Sequence, residues 1–261
     1  MGFNTKIEWT THTFNPWWGC TKVSDGCKFC YAELLSNRYG HHVWGAGKPR
    51  RLLSDKHWKE PIKWNAQAER DGLRNRVFCA SMADVFEEEA PVQELNRLWS
   101  LIRQTPMLDW QILTKRPERI AANLPFDWGG GYRNVWLGTS VEDGRVIDRI
   151  GHLIAIPAIV HFLSLEPLIG PLPNLPLENI QWVIVGGESG PGARPIDEDW
   201  VLEIQLQCRA TGIPFFFKQW GGVKKLKNGR ALQGRFYNEM PRLREIMSAK
   251  QSGNEHTNRR L

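Results

Sequence analysis

Seven short apolar stretches recur along the chain, each followed by a polar loop and in most cases by a segment of helical character. They are Thr13–Trp18, Arg76–Ser81, Trp110–Thr114, Val135–Thr139, Ile159–Leu165, Trp182–Gly186 and Pro214–Lys218. Continuous runs such as Trp182-Val183-Ile184-Val185 suit strands covered on both faces, as in a parallel sheet, better than the alternation of half-solvated strands. Helices are predicted at Tyr31–Tyr39, Val92–Gln104, Pro117–Ala122, Gly144–Ile156 and Asp197–Ala210. Pro91 and Pro117 fit a first helical turn, and Asp197-Glu198-Asp199 places negative charge at the positive end of a helix dipole.

Alternation of this kind predicts an α/β chain folded as a (β/α) TIM-type barrel, partial, with six to seven βα units. An open doubly wound sheet is the alternative. The long segment Gly40–Asn75 exceeds an ordinary connection and reads as an excursion near the site.

Composition is that of a globular protein: 261 residues, 41% hydrophobic and 24% charged. Tryptophan is abundant, at 13 residues, and is expected mainly in packing. The net charge of +6 is uneven: residues 221–261 hold ten Lys or Arg against three Glu, and the remainder is near neutral. The expected organisation is therefore a barrel domain over residues 1–220 and a basic C-terminal extension over 221–261. Such an extension suits contact with nucleic acid, or a solvated terminus. No run approaches the roughly 18 apolar residues that span a bilayer, so a cytoplasmic protein with no membrane partner is expected.

Five cysteines, an odd number, do not suggest a disulfide framework in a reducing compartment. Three of them, Cys20, Cys27 and Cys30, lie together just beyond the first predicted strand with the spacing Cys-x6-Cys-x2-Cys. Three thiolates can hold three irons of a [4Fe-4S] cluster and leave the fourth open to a small ligand. Tetrahedral Zn is the alternative, with His12, His41 or His42 as fourth ligand. Cys79 and Cys208 fall in a predicted strand and helix and read as small core residues.

Polar residues follow the predicted strands: Ser81 to Asp84, Thr114-Lys115-Arg116, Thr139-Ser140-Val141-Glu142, Ser164-Leu165-Glu166, Gly187-Glu188-Ser189-Gly190 and Lys218-Gln219. In a parallel barrel such groups gather at one mouth, although each alone also suits a helix cap or a surface loop. Lys115, Glu166 and Lys218 are the candidate catalytic groups, with Lys115, Arg116 and Lys218 suited to an anionic substrate.

The cysteine loop, with Phe29 just before Cys30, resembles that of the radical S-adenosylmethionine superfamily. That superfamily carries three cysteines on the loop after its first barrel strand, most often as Cys-x3-Cys-x2-Cys; the six-residue gap here departs from that spacing. More narrowly, Asn15-Pro16-Trp17-Trp18-Gly19-Cys20, Cys27-Lys28-Phe29-Cys30-Tyr31-Ala32-Glu33, Leu113-Thr114-Lys115-Arg116-Pro117 and Gly186-Gly187-Glu188-Ser189-Gly190 are similar to an uncharacterised bacterial and phage family of three-cysteine proteins. The resemblance implies S-adenosylmethionine on the open iron. Phe29, Asp84, Ser140, Glu142, Gly187 and Glu188 are then the candidate cofactor contacts, by position.

It further implies an iron–sulfur enzyme that cleaves S-adenosylmethionine to a 5′-deoxyadenosyl radical. The basic extension and the phage association point to a nucleotide or nucleic-acid substrate. An electron donor protein or reductant is required, and there is room for a partner protein. The alternative is a zinc- or cluster-stabilised nucleic-acid-binding protein without catalysis.

Overall fold

A computed structural model describes Thr5, residues 7–243 and Ile246. The rest of the expected basic extension, 244–245 and 247–261, lies outside the described residues. In chain order the first strands and helix are β1 (His12–Thr13), β2 (Trp17–Trp18), α1 (Tyr31–Arg38) and β3 (Arg51–Leu52). Next come α2 (Asp55–Trp58), α3 (Glu60–Asp71), β4 (Asn75–Cys79), α4 (Val92–Gln104), β5 (Leu108–Thr114) and β6 (Val135–Ser140). The chain continues through α5 (Arg149–Ile154), β7 (Val160–Leu165), β8 (Trp182–Gly186), α6 (Glu198–Thr211), β9 (Phe215–Gln219) and α7 (Lys225–Asn228).

Seven strands form one sheet in the order β1-β4-β5-β6-β7-β8-β9, every neighbouring pair parallel. The sheet curls into a partial TIM-type barrel whose end strands, β1 and β9, are not paired to each other. The expected fold class is the observed one.

Period-two alternation sorts each strand between two cores. The outer face packs with the helices in one large cluster that includes Trp110, Leu137, Leu163, Val183, Phe217, Leu98 and Ile204. The concave face forms a second cluster of Phe78, Trp136, Val160, Phe162, Trp182, Ile184 and Phe216. Trp9 closes it from below, with Met240, Leu243 and Ile246 packed alongside. Ten of the thirteen tryptophans are buried, which assigns the set to packing. Phe162 lies so close over Gly138 that a Cβ there would sit 2.3 Å from the ring.

The first predicted strand, Thr13–Trp18, divides in two. Only His12–Thr13 joins the parallel sheet, while Trp17–Trp18 pairs antiparallel with Arg51–Leu52 in a small second sheet. The break falls at Asn15-Pro16. Pro16 has no N–H to donate, and the Asn15 side chain leaves the ladder to accept from the Met82 N–H at 2.7 Å.

Other boundaries also move. The helix expected at Pro117–Ala122 is two 3-10 turns, Pro117–Arg119 and Ala121–Asn123. The one expected at Gly144–Ile156 is a 3-10 turn followed by α5. Most of Gly40–Asn75 is the crossover to β4, built from α2 and α3, and only its first part is an excursion. The signals for α3 were in the sequence: Pro61 in its first turn, and Gly72 just past its end in the left-handed conformation, φ 63°.

Past β9 the chain stays on the sheet. Residues 237–239 run antiparallel to β9, with Phe217 N–H donating to the Tyr237 carbonyl at 3.1 Å and Glu239 N–H to the Phe215 carbonyl at 3.3 Å. Trp182 Nε1 donates to the Glu239 carbonyl at 2.9 Å, tying this segment to the concave core.

Candidate functional site at the barrel mouth

The concave face changes character as it rises. Toward the carboxyl ends the apolar layer gives way to polar residues at the same period: Ser140 closing β6 and Glu142 two residues past it, Ser164 in β7 and Glu166 just past it, Glu188 two residues past β8, and Lys218 in β9. A period of two thus delivers most of the predicted strand-end groups to the carboxyl mouth.

Over this mouth lies the cysteine loop. Gly19 N–H donates to the Met82 carbonyl at 3.0 Å, carrying the chain from beside β4 into Cys20. A 3-10 turn, Asp25–Cys27, follows, and Cys30 is the N-cap of α1. All three thiols are free and half-buried. Burial pushes the Cys20 thiol up, reinforced by the carboxylates of Asp84 and Glu87 and opposed by Arg116. Burial also raises Cys30, against the N–H groups of Glu33 and Ala32 in the first turn of α1, which favour its thiolate.

Among the described residues, no three His, Cys, Asp or Glu side chains are grouped to hold one metal ion. A single tetrahedral zinc would require its thiolate sulfurs about 3.8 Å apart, given a Zn–S bond of about 2.3 Å. The histidines expected as fourth ligands are engaged elsewhere. His12 is buried and stacked on Trp64, His41 meets Trp18 edge-on, and His42 Nδ1 contacts Asn37 Oδ1 at 3.2 Å. The donor set fits an iron–sulfur cluster, which spreads its thiolates over several irons: three thiols on one loop, helix N–H groups at Cys30, and the Arg116 guanidinium 3.9 Å from Cys20 Sγ.

The residues between Cys20 and Cys27 are held from four sides. Arg116 Nη2 donates to the Thr21 carbonyl at 2.7 Å, while its Nη1 lies 3.3 Å from Asp84. Thr21 N–H donates to Glu87 at 3.0 Å, and Glu87 is itself paired with the buried Arg50 at 2.7 Å. Glu142, only 1% exposed, accepts from Ser24 Oγ at 3.1 Å, from Arg149 at 2.9 Å and from Lys115. Arg145 reaches the Asp25 carboxylate at 2.6 Å, and Arg194 donates to the Asp25 carbonyl at 2.9 Å. Gly26 fits against Glu142 with no room for a Cβ, which would lie 2.4 Å from Cγ.

These contacts occupy several of the predicted cofactor contacts. Asp84 accepts from Thr114, the Lys115 N–H and Arg116. Glu188 is paired with Arg194 at 2.6 Å, and the Arg194 guanidinium lies 5.5 Å from the centre of the Phe29 ring. Ser140 is buried, its carbonyl accepting from Arg149 at 3.0 Å. Gly187 packs against the Trp220 carbonyl, where a Cβ would lie at 2.0 Å. Of the candidate catalytic groups, Lys115 is drawn to Glu142, while Lys218 and Glu166 form a half-buried ion pair at 2.8 Å beside Gln219.

Sequence reasoning missed Arg50, Arg149 and Arg194, which hold the carboxylates, and Tyr31, whose hydroxyl donates to the Ser81 carbonyl at 2.8 Å. Nothing local marks the three arginines; Tyr31 was marked only by following Cys30.

The fold is that of solved structures of spore photoproduct lyase. A cysteine-to-serine mutant is 14% identical with a TM-score of 0.50, covering 72% of this chain and 59% of that one. The complex with dinucleoside spore photoproduct is 12% identical with a TM-score of 0.50, covering 79% and 63%. At such identity the likeness is one of fold, and the chain spans about three fifths of the length of those lyase chains. No curated protein matches the sequence. Residues 4–241 match the family described as "Protein of unknown function (DUF5131)", and the chain belongs to that family.

Proposed function

We propose that this protein is an iron–sulfur enzyme of the radical S-adenosylmethionine type acting on a nucleotide or nucleic-acid substrate. The observation that carries the reading is the placement of three free cysteines on one loop over the carboxyl mouth of a partial parallel barrel. When bound, a [4Fe-4S] cluster with S-adenosylmethionine supplies reductive cleavage to a 5′-deoxyadenosyl radical, with the electron coming from a donor protein or reductant.

The chain's own part is to hold and to exclude. Cys20, Cys27 and Cys30 are the ligands, kept in place by Arg116, Glu87 and Glu142 through the intervening loop. Ser140, Gly187 and Phe29 line the cofactor's side of the mouth. Asp84, Glu142 and Glu188 act there through the cations they fix. Lys115 and Lys218 face the reacting region and orient an anionic substrate, with Glu166 holding the Lys218 ammonium in place. Below them the aromatic layer of Trp136, Phe162 and Trp182 keeps water from the lower barrel. The substrate class draws support from the basic extension and from a protein of the same fold solved with a dinucleoside ligand.

Anaerobic reconstitution with iron and sulfide tests the reading. A brown protein with a four-iron spectrum, lost in Cys20→Ala, is expected, together with 5′-deoxyadenosine on addition of reductant and S-adenosylmethionine. A chain that binds zinc and never takes up iron would overturn it.

A further inference from the structure

Charge is partitioned along the chain in a way that the overall value hides. Of the net +6, residues 20–52 carry +4 and residues 221–261 carry +7, which leaves −5 for everything else. The two acidic residues in the 20–52 segment are already neutralised: Glu33 by Lys22 at 2.7 Å and Asp25 by Arg145 at 2.6 Å. Arg50 is buried on Glu87. Among the described residues, Arg38, Lys48 and Arg51 form no ion pair, so this side of the mouth presents cations to solvent while the rest of the barrel is acidic overall.

Rings accompany those cations. Tyr31 and Arg38 share one face of α1, seven residues apart, and the helix itself starts at its N-cap, Cys30. Tyr31 is 51% exposed and Tyr39, at the end of the helix, 63%. Tyr39 lies 6.4 Å from Trp18, and the Arg51 guanidinium covers that same Trp18 ring at 4.7 Å. Two tyrosines are thus exposed here beside Trp18, one of the ten buried tryptophans. Exposed rings interleaved with unpaired cations match a strand with unpaired bases: phosphates meet the cations and base faces stack on the rings. A base-paired duplex keeps its base faces covered.

We infer that the surface running from Cys30 along α1 to the Trp18–Arg51 pair binds single-stranded nucleic acid and leads it into the barrel mouth. This rests on the proposed nucleic-acid substrate and names its form.

The test uses the full chain without a cluster and fluorescein-labelled oligo(dT), with a hairpin duplex of equal length as comparison. The single strand should bind more tightly than the duplex. The triple substitution Arg38→Ala, Lys48→Ala, Arg51→Ala should lower affinity tenfold or more and flatten the log K against log salt slope by about 2, at roughly 0.7 per phosphate contact. Tyr39→Ala should weaken binding about 5- to 100-fold with the slope unchanged, as expected for loss of one stacked base. Lys63→Ala, on α3, is the exposed-cation control and should bind as the parent does.

Parent-like binding by both the triple variant and Tyr39→Ala, equal affinity for duplex, or no binding by the parent would each overturn the inference. The last would point to a protein partner for this face. Iron uptake and 5′-deoxyadenosine formation, measured on the same variants, separate the two readings. Normal chemistry with binding indifferent to these residues sinks the surface alone, whereas patch-dependent binding by a chain that never takes up iron sinks only the enzyme.

Discussion

Glu142, two residues past the end of β6, accepts a hydrogen bond from Ser24 Oγ at 3.1 Å, joining residues 118 positions apart in the chain. This carboxylate also collects Lys115 and Arg149 and leaves Gly26 no room for a side chain. It is one of the points at which the cysteine loop is fastened to the barrel.

Glu142→Ala should therefore act on both the fold and the loop. Removing one partner strands the buried Arg149, a loss of about 3–5 kcal/mol for a broken buried pair. Urea unfolding measures that cost. Alkylation of apo Cys27 should be faster and iron content after reconstitution lower, whereas Glu142→Gln, which keeps an acceptor for Ser24, should retain more iron than the alanine variant. Equal iron content in the parent and both variants would show that the loop does not need this fastening.

Gly138→Ala tests the close packing inside the barrel. Its Cβ would lie 2.3 Å from the Phe162 ring, so the ring must shift, and a cost of about 1–3 kcal/mol is expected for overpacking. Adding Phe162→Leu makes room and should recover part of it. Thermal or urea unfolding of the single and double variants reads the recovery; purely additive losses would count against direct contact.

Stability should also depend on pH through His12. Burial lowers its pKa from 6.5 to about 4, so the folded state resists a proton that the unfolded chain accepts. The sign follows: stability falls as pH drops through 6.5 and levels off below about 4, with a total near 3 kcal/mol for a shift of this size. His57, also lowered by burial, shares the upper part of the window. His12→Phe keeps a ring against Trp64 and should flatten the profile between pH 6.5 and 4. An unchanged slope in urea unfolding at several pH values would refute the assignment.

Lys218→Met leaves Glu166 without its cation at the mouth. Loss of a charge-assisted contact is worth about 1.5–3 kcal/mol, which corresponds to roughly 10- to 100-fold in turnover of a nucleic-acid substrate. Iron content should be unchanged. A variant that turns over like the parent removes Lys218 from the proposed mechanism.

The sequence was most readable where one residue's fate depends on its neighbours. Trp182 to Val185 became β8 because a continuous apolar run has few other ways to be buried, and period-two spacing carried Ser140, Glu142, Glu166, Glu188 and Lys218 to one mouth. It was least readable where partners are far apart. Glu142 could be placed at the mouth, but that Arg149, Lys115 and Ser24 would claim its oxygens depends on how three separate segments meet. Likewise Asn15 reads as an ordinary strand residue until the Met82 N–H, 67 positions on, draws it away.

Residues 237–239 occupy the outer hydrogen-bonding edge of β9, so that edge is unavailable both to β1 and to another molecule's strand. The rim of the barrel is consequently a horseshoe and not a ring. A ring admits a polymer only by its end; a horseshoe can be approached from the side at any internal position. A rim of this shape closes no hoop of strands around whatever enters the mouth.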